Sequence, residues 1–131
     1  MKAIRLTLSI VLALAVPAWL SYSVAGERTR AGQPLTEAFA VAADAPHIVA
    51  VGVNCCDPVD VAPAIATARE VTGKPVFVYP NSGEGWDAAA RRWTGRSRFP
   101  AADAAQWVAR WVTLGAAGVG GCCRVGPAEI A

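Results

Sequence analysis

The stretch HIVAVGVNCCDP, residues 47–58, decides the fold of this 131-residue chain. Its first eight residues form a continuous apolar run rich in Val and Ile, which is typical of a strand buried on both faces of a parallel sheet. A helical pattern follows from Val59 to Thr72 and ends at Gly73, because glycine favours the C-terminal cap of a helix. The stretch therefore predicts one strand–helix unit.

The same pattern recurs on both sides of this unit. We expect further strands at 17–24, 75–80 and 114–121, long helices at about 34–45 and 101–113, and a short helix near 86–93. Strands that alternate with helices predict an α/β fold with a parallel sheet covered by helices. Such sheets carry their chemistry at the carboxyl ends of the strands. The unusual residues at those ends are Ser21, Ser23, Asn54, Cys55, the segment 79–84, Cys122 and Cys123.

The composition excludes a disordered protein, since 54% of the residues are hydrophobic and only 17% are charged. The net charge is +2, and the basic residues are scattered apart from RRWTGRSR at 91–98. That run suits a phosphate or nucleic acid, but a solvated helix end and loop explains it better. We therefore expect no nucleic-acid partner.

The first residues allow two interpretations. Lys2 and Arg5 precede an apolar run from Leu6 to Val16 with a small-residue cleavage site, which is the pattern of a signal peptide. The run is too short to span a bilayer comfortably, so no membrane anchor is expected. The alternative is an amphipathic helix that packs on the sheet and ends before Pro17.

The four cysteines form two adjacent pairs, Cys55–Cys56 and Cys122–Cys123, and three interpretations compete. A disulfide between neighbours is strained and rare, whereas two bridges between the pairs would be crowded. Free cysteines also fill cores. Thiolates favour zinc, and a catalytic zinc keeps three protein ligands and one open position. The metal interpretation fits best, with Cys55 as a candidate third ligand beside the C-terminal pair; the single histidine, His47, lies at the wrong end of its strand.

Three motifs carry a resemblance to a known family. GVNC (52–55), VYPNSGEGWD (78–87) and GGCCRVGP (120–127) resemble the zinc-dependent homocysteine S-methyltransferases, in the branch that uses S-methylmethionine or S-adenosylmethionine as donor. WLSYS (19–23) is similar as well, so the resemblance runs from about Pro17 to Ala131. It implies a Zn²⁺ site with the ligands Cys55, Cys122 and Cys123, and a bystander role for Cys56. The substrate-binding residues that it implies are Asn54, Tyr79, Ser82 and Glu84.

The resemblance also implies a fold and an activity. The family fold is a (β/α)8 TIM-type barrel, which needs roughly 200 residues or more. We therefore expect residues 1–131 to form a partial homocysteine-binding domain, the C-terminal half of the barrel with about four parallel β/α units, and residues 1–16 to be a remnant helix or a signal-like segment. The implied reaction is methyl transfer from a sulfonium donor to zinc-bound homocysteine, giving methionine.

The expected partners are homocysteine, the donor, and either a partner half-barrel or a second copy in a homodimer. The family implies a cytoplasmic location, with export as the alternative if 1–15 is a signal peptide. Two other functions stay open: a catalytically inactive zinc-binding fragment, and a small exported protein without free thiols.

Overall fold

The structure, a computed structural model, describes residues 16–130. The predicted strands and long helices are present, with ends that differ by a few residues. The elements in chain order are β1 (Ala18–Ala25), β2 (Arg28–Thr29), α1 (Leu35–Ala43), β3 (Ile48–Asn54), α2 (Pro58–Thr72), β4 (Val76–Tyr79), β5 (Gly85–Asp87), β6 (Arg92–Thr94), α3 (Ala101–Thr113), β7 (Ala116–Val119) and α4 (Pro127–Ile130). The predictions for residues 1–15 lie outside the described residues. Within the described part, no helix has the length and apolarity that a membrane crossing requires.

One five-stranded mixed sheet organises the chain. Its strand order is β2-β1-β3-β4-β7, in which β1, β3, β4 and β7 are parallel and the short β2 is antiparallel to the end of β1. The parallel strands follow one another along the chain in the same order as across the sheet. Because crossovers between parallel strands are almost always right-handed, a sheet wound in one direction carries its crossover helices on one face.

The hydrophobic core lies between the sheet and these helices. Alternate residues of β3 and β4 point towards the helices, as the two-residue period of a strand requires. The fully buried core side chains include residues of α1, α2, α3, β3 and β4, together with Phe99 just before α3: Phe39, Ile65, Trp111, Val51, Val53, Val76, Val78 and Phe99. This packing places the carboxyl ends of β3, β4 and β7 side by side at one edge of the sheet.

The opposite face of the sheet is apolar, and no helix within residues 16–130 covers it. Trp19 of β1 is 57% exposed there, and its ring lies edge-on to Phe77 of β4 with 6.3 Å between the centroids. Both rings line a groove together with Tyr79 and the glycines of β7 and the residues after it. Gly118 leaves space for Phe77, because a Cβ at that position would lie 2.9 Å from the ring.

The prediction of a short helix near 86–93 is wrong, because this segment forms the β5–β6 hairpin. Trp86 and Trp93 lie directly opposite each other with ring centroids 5.3 Å apart, and aromatic cross-strand pairs stabilise hairpins. Asp87 shapes the turn, since its Oδ1 accepts hydrogen bonds from the N–H groups of Ala89 and Ala90 at 3.0 and 2.9 Å. The alanines favoured a helix, but the tryptophan pair and the Asp turn outweigh that propensity.

Candidate metal centre

Three of the four cysteines meet at the carboxyl edge of the sheet. Cys55 directly follows β3, whereas Cys122 and Cys123 follow β7 after two glycines. The sulfur atoms of these three residues all lie within 4.8 Å of one another. The structure thus brings together the three predicted ligands.

Two residues with left-handed backbone conformation shape the cluster. Cys55 has a φ of 48° and Arg124 has a φ of 65°, values that residues other than glycine adopt rarely and at a cost. Consecutive side chains of an extended strand point in opposite directions, so two neighbouring cysteines can share one site only in a turn. The N–H of Val125 donates to the carbonyl of Cys122 at 3.1 Å and closes that turn.

The donor set fits a soft metal ion, although two of its sulfurs are bonded in the structure. Cys55 and Cys122 form a disulfide, whereas Cys56 and Cys123 are free thiols. The Sγ of Cys123 lies 3.9 Å from the Sγ of Cys55 and 3.9 Å from the Sγ of Cys122. Thiolates about 2.3 Å from a tetrahedral zinc are about 3.8 Å apart. Two of the three sulfur–sulfur distances therefore match a zinc site, and reduction of the disulfide frees the remaining donors.

Cys56 is separated from this cluster and belongs to the core. Its side chain is fully buried. Burial above all, and then the negative charge of Asp60, raises the pKa of its thiol to about 12. A thiol that stays protonated at neutral pH is a poor ligand, which supports the interpretation of Cys56 as a bystander. The alternative in which every cysteine is bridged disagrees with the two free thiols.

A polar row beside Cys55 involves the predicted residue Asn54. The Oγ of Ser21 donates to Asn54 Oδ1 at 2.7 Å, and Asn54 Nδ2 donates to the Oγ of Ser23 at 3.3 Å. Asn54 also pairs in register with Tyr79 at the end of β4. The hydroxyl of Tyr79 accepts a hydrogen bond from Trp19 Nε1 at 3.1 Å. Asn54 and Tyr79 are therefore held in place between the sulfur cluster and the apolar groove.

The predicted residues Ser82 and Glu84 form a second polar group, which contacts Arg124 directly after Cys123. The Oγ of Ser82 donates to Glu84 Oε2 at 2.7 Å. Arg124 donates from Nε to Glu84 Oε2 at 3.2 Å and from Nη2 to Oε1 at 3.3 Å. These hydrogen bonds, from Arg124 first and Ser82 second, hold the pKa of Glu84 below its usual range. Its carboxylate is therefore ionised at neutral pH.

Comparison with known proteins identifies the family of the chain. The sequence model described as homocysteine S-methyltransferase matches residues 1–131. The chain belongs to the homocysteine S-methyltransferase family. It is 40% identical over 117 residues to homocysteine S-methyltransferase 4 of Zea mays, which covers 88% of this chain and 34% of that protein. It is 37% identical over 115 residues to the selenocysteine methyltransferase of Astragalus bisulcatus, which covers 87% of this chain and 34% of that protein.

A solved structure of a homocysteine S-methyltransferase also matches. The metallated form of the homocysteine methyltransferase MmuM from Escherichia coli has a TM-score of 0.67 and 30% sequence identity, over 92% of this chain and 38% of that chain. The chain thus spans about a third of the length of the curated homocysteine S-methyltransferases that it matches. The comparisons confirm the resemblance carried by the three motifs and the α/β fold.

Two site residues were absent from the sequence-based predictions. Arg124 contacts the predicted residue Glu84, and Trp19 contacts the predicted residue Tyr79. The signal for Arg124 is its place directly after Cys123. Trp19 lies within the WLSYS motif, but only its exposure on the open face distinguishes it from a core residue.

Proposed function

We propose that this chain forms the metal-binding half of an enzyme that transfers a methyl group from S-methylmethionine or S-adenosylmethionine to homocysteine, giving methionine. The observation that carries the proposal is the cluster of three cysteine sulfurs at the carboxyl ends of two parallel strands. Family membership and the similarity to a metallated homocysteine methyltransferase support it.

We assign zinc to the cluster, with Cys55, Cys122 and Cys123 as its ligands. Three thiolates form a soft, negatively charged donor set that prefers zinc to hard cations such as Mg²⁺. Bound zinc supplies a fourth coordination position, at which a substrate thiol loses its proton near neutral pH. The protein's part is to hold the three sulfurs at this spacing and to position the two substrates.

We further propose that Asn54, Tyr79, Ser82 and Glu84 bind or position the substrates. Tyr79 uses its hydroxyl oxygen to accept from Trp19, so its O–H remains able to donate to a substrate carboxylate. Asn54 is fixed by two serines, which limits the entropy lost on binding. Ser82 is only 1% exposed and donates to Glu84, so it acts through that carboxylate. Methyl transfer needs such positioning, because the attacking sulfur and the methyl carbon must be brought into line.

We also propose that the sheet is half of a (β/α)8 barrel. Four parallel strands wound in one direction, with helices on one face and an apolar groove on the other, support this. Among residues 16–130, both edges of the sheet offer free backbone groups. On one edge β2 covers only Val24 and Ala25 of β1, and on the other β7 pairs only with β4. Four more parallel strands, from a partner half-barrel or a second copy, would close an eight-stranded barrel. Side chains fill the interior of a barrel of this size.

The experiment that tests the proposal measures zinc and methyl transfer together. The reduced chain is assayed alone and after co-expression with the part of the Zea mays relative that precedes the matched region, with each donor in turn. We expect methionine from the complex, loss of methionine in its Cys123→Ser variant, and little or no methionine from an unpaired chain. A complex that holds one zinc but forms no methionine would establish the inactive zinc-binding alternative. A reduced complex without zinc would exclude the metal site.

Selenocysteine is a second candidate acceptor. The observation that favours it is the 37% identity to the selenocysteine methyltransferase of Astragalus bisulcatus. A selenol binds a soft metal ion at least as readily as a thiol does, since selenium is the softer donor. The same assay with selenocysteine in place of homocysteine decides between the two acceptors by their relative rates.

A further inference from the structure

We propose that Glu84 and Arg124 form a latch that sets the positions of Cys122 and Cys123. Both residues would then be positioning residues of the metal centre, acting through the turn that carries two of its ligands. The proposal rests on the metal-binding function proposed above.

The last residue of β4 and the loop after it link the two cysteine-bearing segments. Residues 79–82 lie between the segment that follows β3 and the segment that follows β7, and backbone hydrogen bonds join them to both. These bonds run from Cys55 N to Tyr79 O (3.1 Å), from Asn81 N to Cys56 O (2.9 Å), from Cys122 N to Pro80 O (2.8 Å) and from Ser82 N to Cys123 O (3.1 Å). The spacing of the sulfurs therefore depends on this loop.

The Glu84–Arg124 pair closes the loop onto the cysteine turn. Arg124 directly follows Cys123, and its guanidinium binds both carboxylate oxygens of Glu84. Such a two-point contact fixes direction as well as distance, because the guanidinium and the carboxylate are both planar. Ser82 donates to the same carboxylate from within the loop. One carboxylate thus joins the loop and the cysteine turn.

The turn needs such a restraint because of its backbone conformation. Arg124 has a φ of 65°, in the left-handed region that is unfavourable for a residue other than glycine. Without the ion pair, the backbone at Arg124 is free to relax, and the two preceding cysteines relax with it. The immediate consequence is a change in the sulfur–sulfur spacing rather than unfolding, since neither Glu84 nor Arg124 belongs to the hydrophobic core.

A second ion pair provides a matched control. Arg98 pairs with Asp57, with side-chain exposures of 58% and 24%, compared with 52% for Arg124 and 12% for Glu84. Both arginines are thus about half exposed, and exposed pairs contribute little to stability. Arg124 directly follows Cys123, whereas Asp57, the partner of Arg98, lies two residues after Cys55 and outside the turn of Cys122 and Cys123. The backbone N–H of Arg98 donates to the carbonyl of Ser82, a bond that a change of side chain leaves in place. Arg98→Gln therefore removes a comparable ion pair near the cluster without removing a contact of the cysteine turn.

The test compares Co²⁺ binding by the reduced wild-type chain, Glu84→Gln, Arg124→Lys and Arg98→Gln. Affinity is measured by competition with a chelator, and the thiolate-to-cobalt absorption band reports how many sulfurs bind. We expect Glu84→Gln to weaken Co²⁺ binding about tenfold or more, as the loss of residues that orient metal ligands does. We expect an intermediate loss for Arg124→Lys, since lysine keeps the charge but not the two-point contact. Arg98→Gln should match the wild type.

A charge exchange tests the contact itself. Glu84→Arg combined with Arg124→Glu restores the opposite charges, and we expect it to recover part of the affinity lost in either single variant. Unchanged affinity and absorption in Glu84→Gln, or an equal loss in Arg98→Gln, would overturn the latch.

Amide hydrogen exchange on the reduced, metal-free chain tests the Glu84–Arg124 latch independently of the proposed metal-binding function. We expect Glu84→Gln to raise exchange about tenfold at the N–H groups of Ser82 and Cys122, and not in β3. If the wild type binds no Co²⁺, the proposed metal site fails, and this measurement still decides the latch: equal exchange in wild type and variant refutes it.

Discussion

Replacing each cysteine in turn gives the sharpest test of the metal centre. The variants are Cys55→Ser, Cys122→Ser and Cys123→Ser, with Cys56→Ala as the control. The cluster sulfurs belong to the first three residues only. We expect zinc binding to be weakened strongly in those three and unchanged in the control.

The expected magnitude follows from the geometry. The Cys123 sulfur is 3.9 Å from each of the other two sulfurs, so each cysteine is one of three donors around a common centre. Zinc sites with four protein ligands bind with about 10–16 kcal/mol, or about 2.5–4 kcal/mol per ligand. Losing one ligand should therefore weaken zinc binding by a factor of about 10² to 10³. Cys123→Ser should lie at the lower end, because this side is exposed and water readily takes the vacated position.

The assay is a chelator competition on fully reduced protein, with the free energy of unfolding measured in parallel. Reduction is essential, since the Cys55–Cys122 disulfide removes two donors. Cys56→Ala should cost about 1 kcal/mol of stability through lost core contacts, with no change in zinc affinity. Alanine is the better control, because serine would bury a hydroxyl in an apolar site.

Two results would refute the assignment of ligands. An equal loss of zinc affinity in all four variants would mean that the effect is on folding rather than coordination. Unchanged zinc affinity in any of the three cluster variants would remove that cysteine from the ligand set.

Three other predictions concern the core, the pH dependence and the open face. Phe39 is fully buried and packs edge-on against Tyr22, so Phe39→Ala should lower the free energy of unfolding by about 3–5 kcal/mol, measured by urea denaturation. Burial raises the pKa of the Cys56 thiol to about 12, so the folded chain keeps a proton there that the unfolded chain loses above about pH 8.5. The free energy of unfolding should therefore fall as the pH rises from about 8.5 towards 12. In Cys56→Ala, the free energy of unfolding should no longer begin to fall near pH 8.5. The same pH profile in the variant and the wild type would show that Cys56 is not the cause of the fall. Trp19 is 57% exposed, so Trp19→Glu should change the stability of the isolated chain by less than about 1 kcal/mol but prevent its assembly with a partner half or a second copy, as followed by size-exclusion chromatography with light scattering. Unimpaired assembly would show that the groove is not the interface.

Local sequence patterns determined those strands and helix ends that a short stretch of sequence can specify by itself. The apolar run 47–54 predicted β3, and Gly73 predicted the end of α2, where it adopts a φ of 64° as the C-terminal cap. These features depend on hydrophobic period and on the backbone preferences of single residues, so they can be recognised without knowledge of the fold. The positions after predicted strands and the motif resemblance likewise predict the three cysteines of the cluster.

Only the tertiary structure decided the contacts between distant segments. Cys55 and Cys122 are separated by 67 residues, and their meeting depends on the strand order that places β4 between β3 and β7. The pairing of Arg124 with Glu84 and the hairpin at Trp86 and Trp93 arise in the same way, from partners that no local window contains. The left-handed backbone at Cys55 and Arg124 opposes local preference and persists because the surrounding hydrogen bonds hold it. Sequence thus determined which residues are chemically suited to the site, whereas the distances between them follow from long-range backbone pairing.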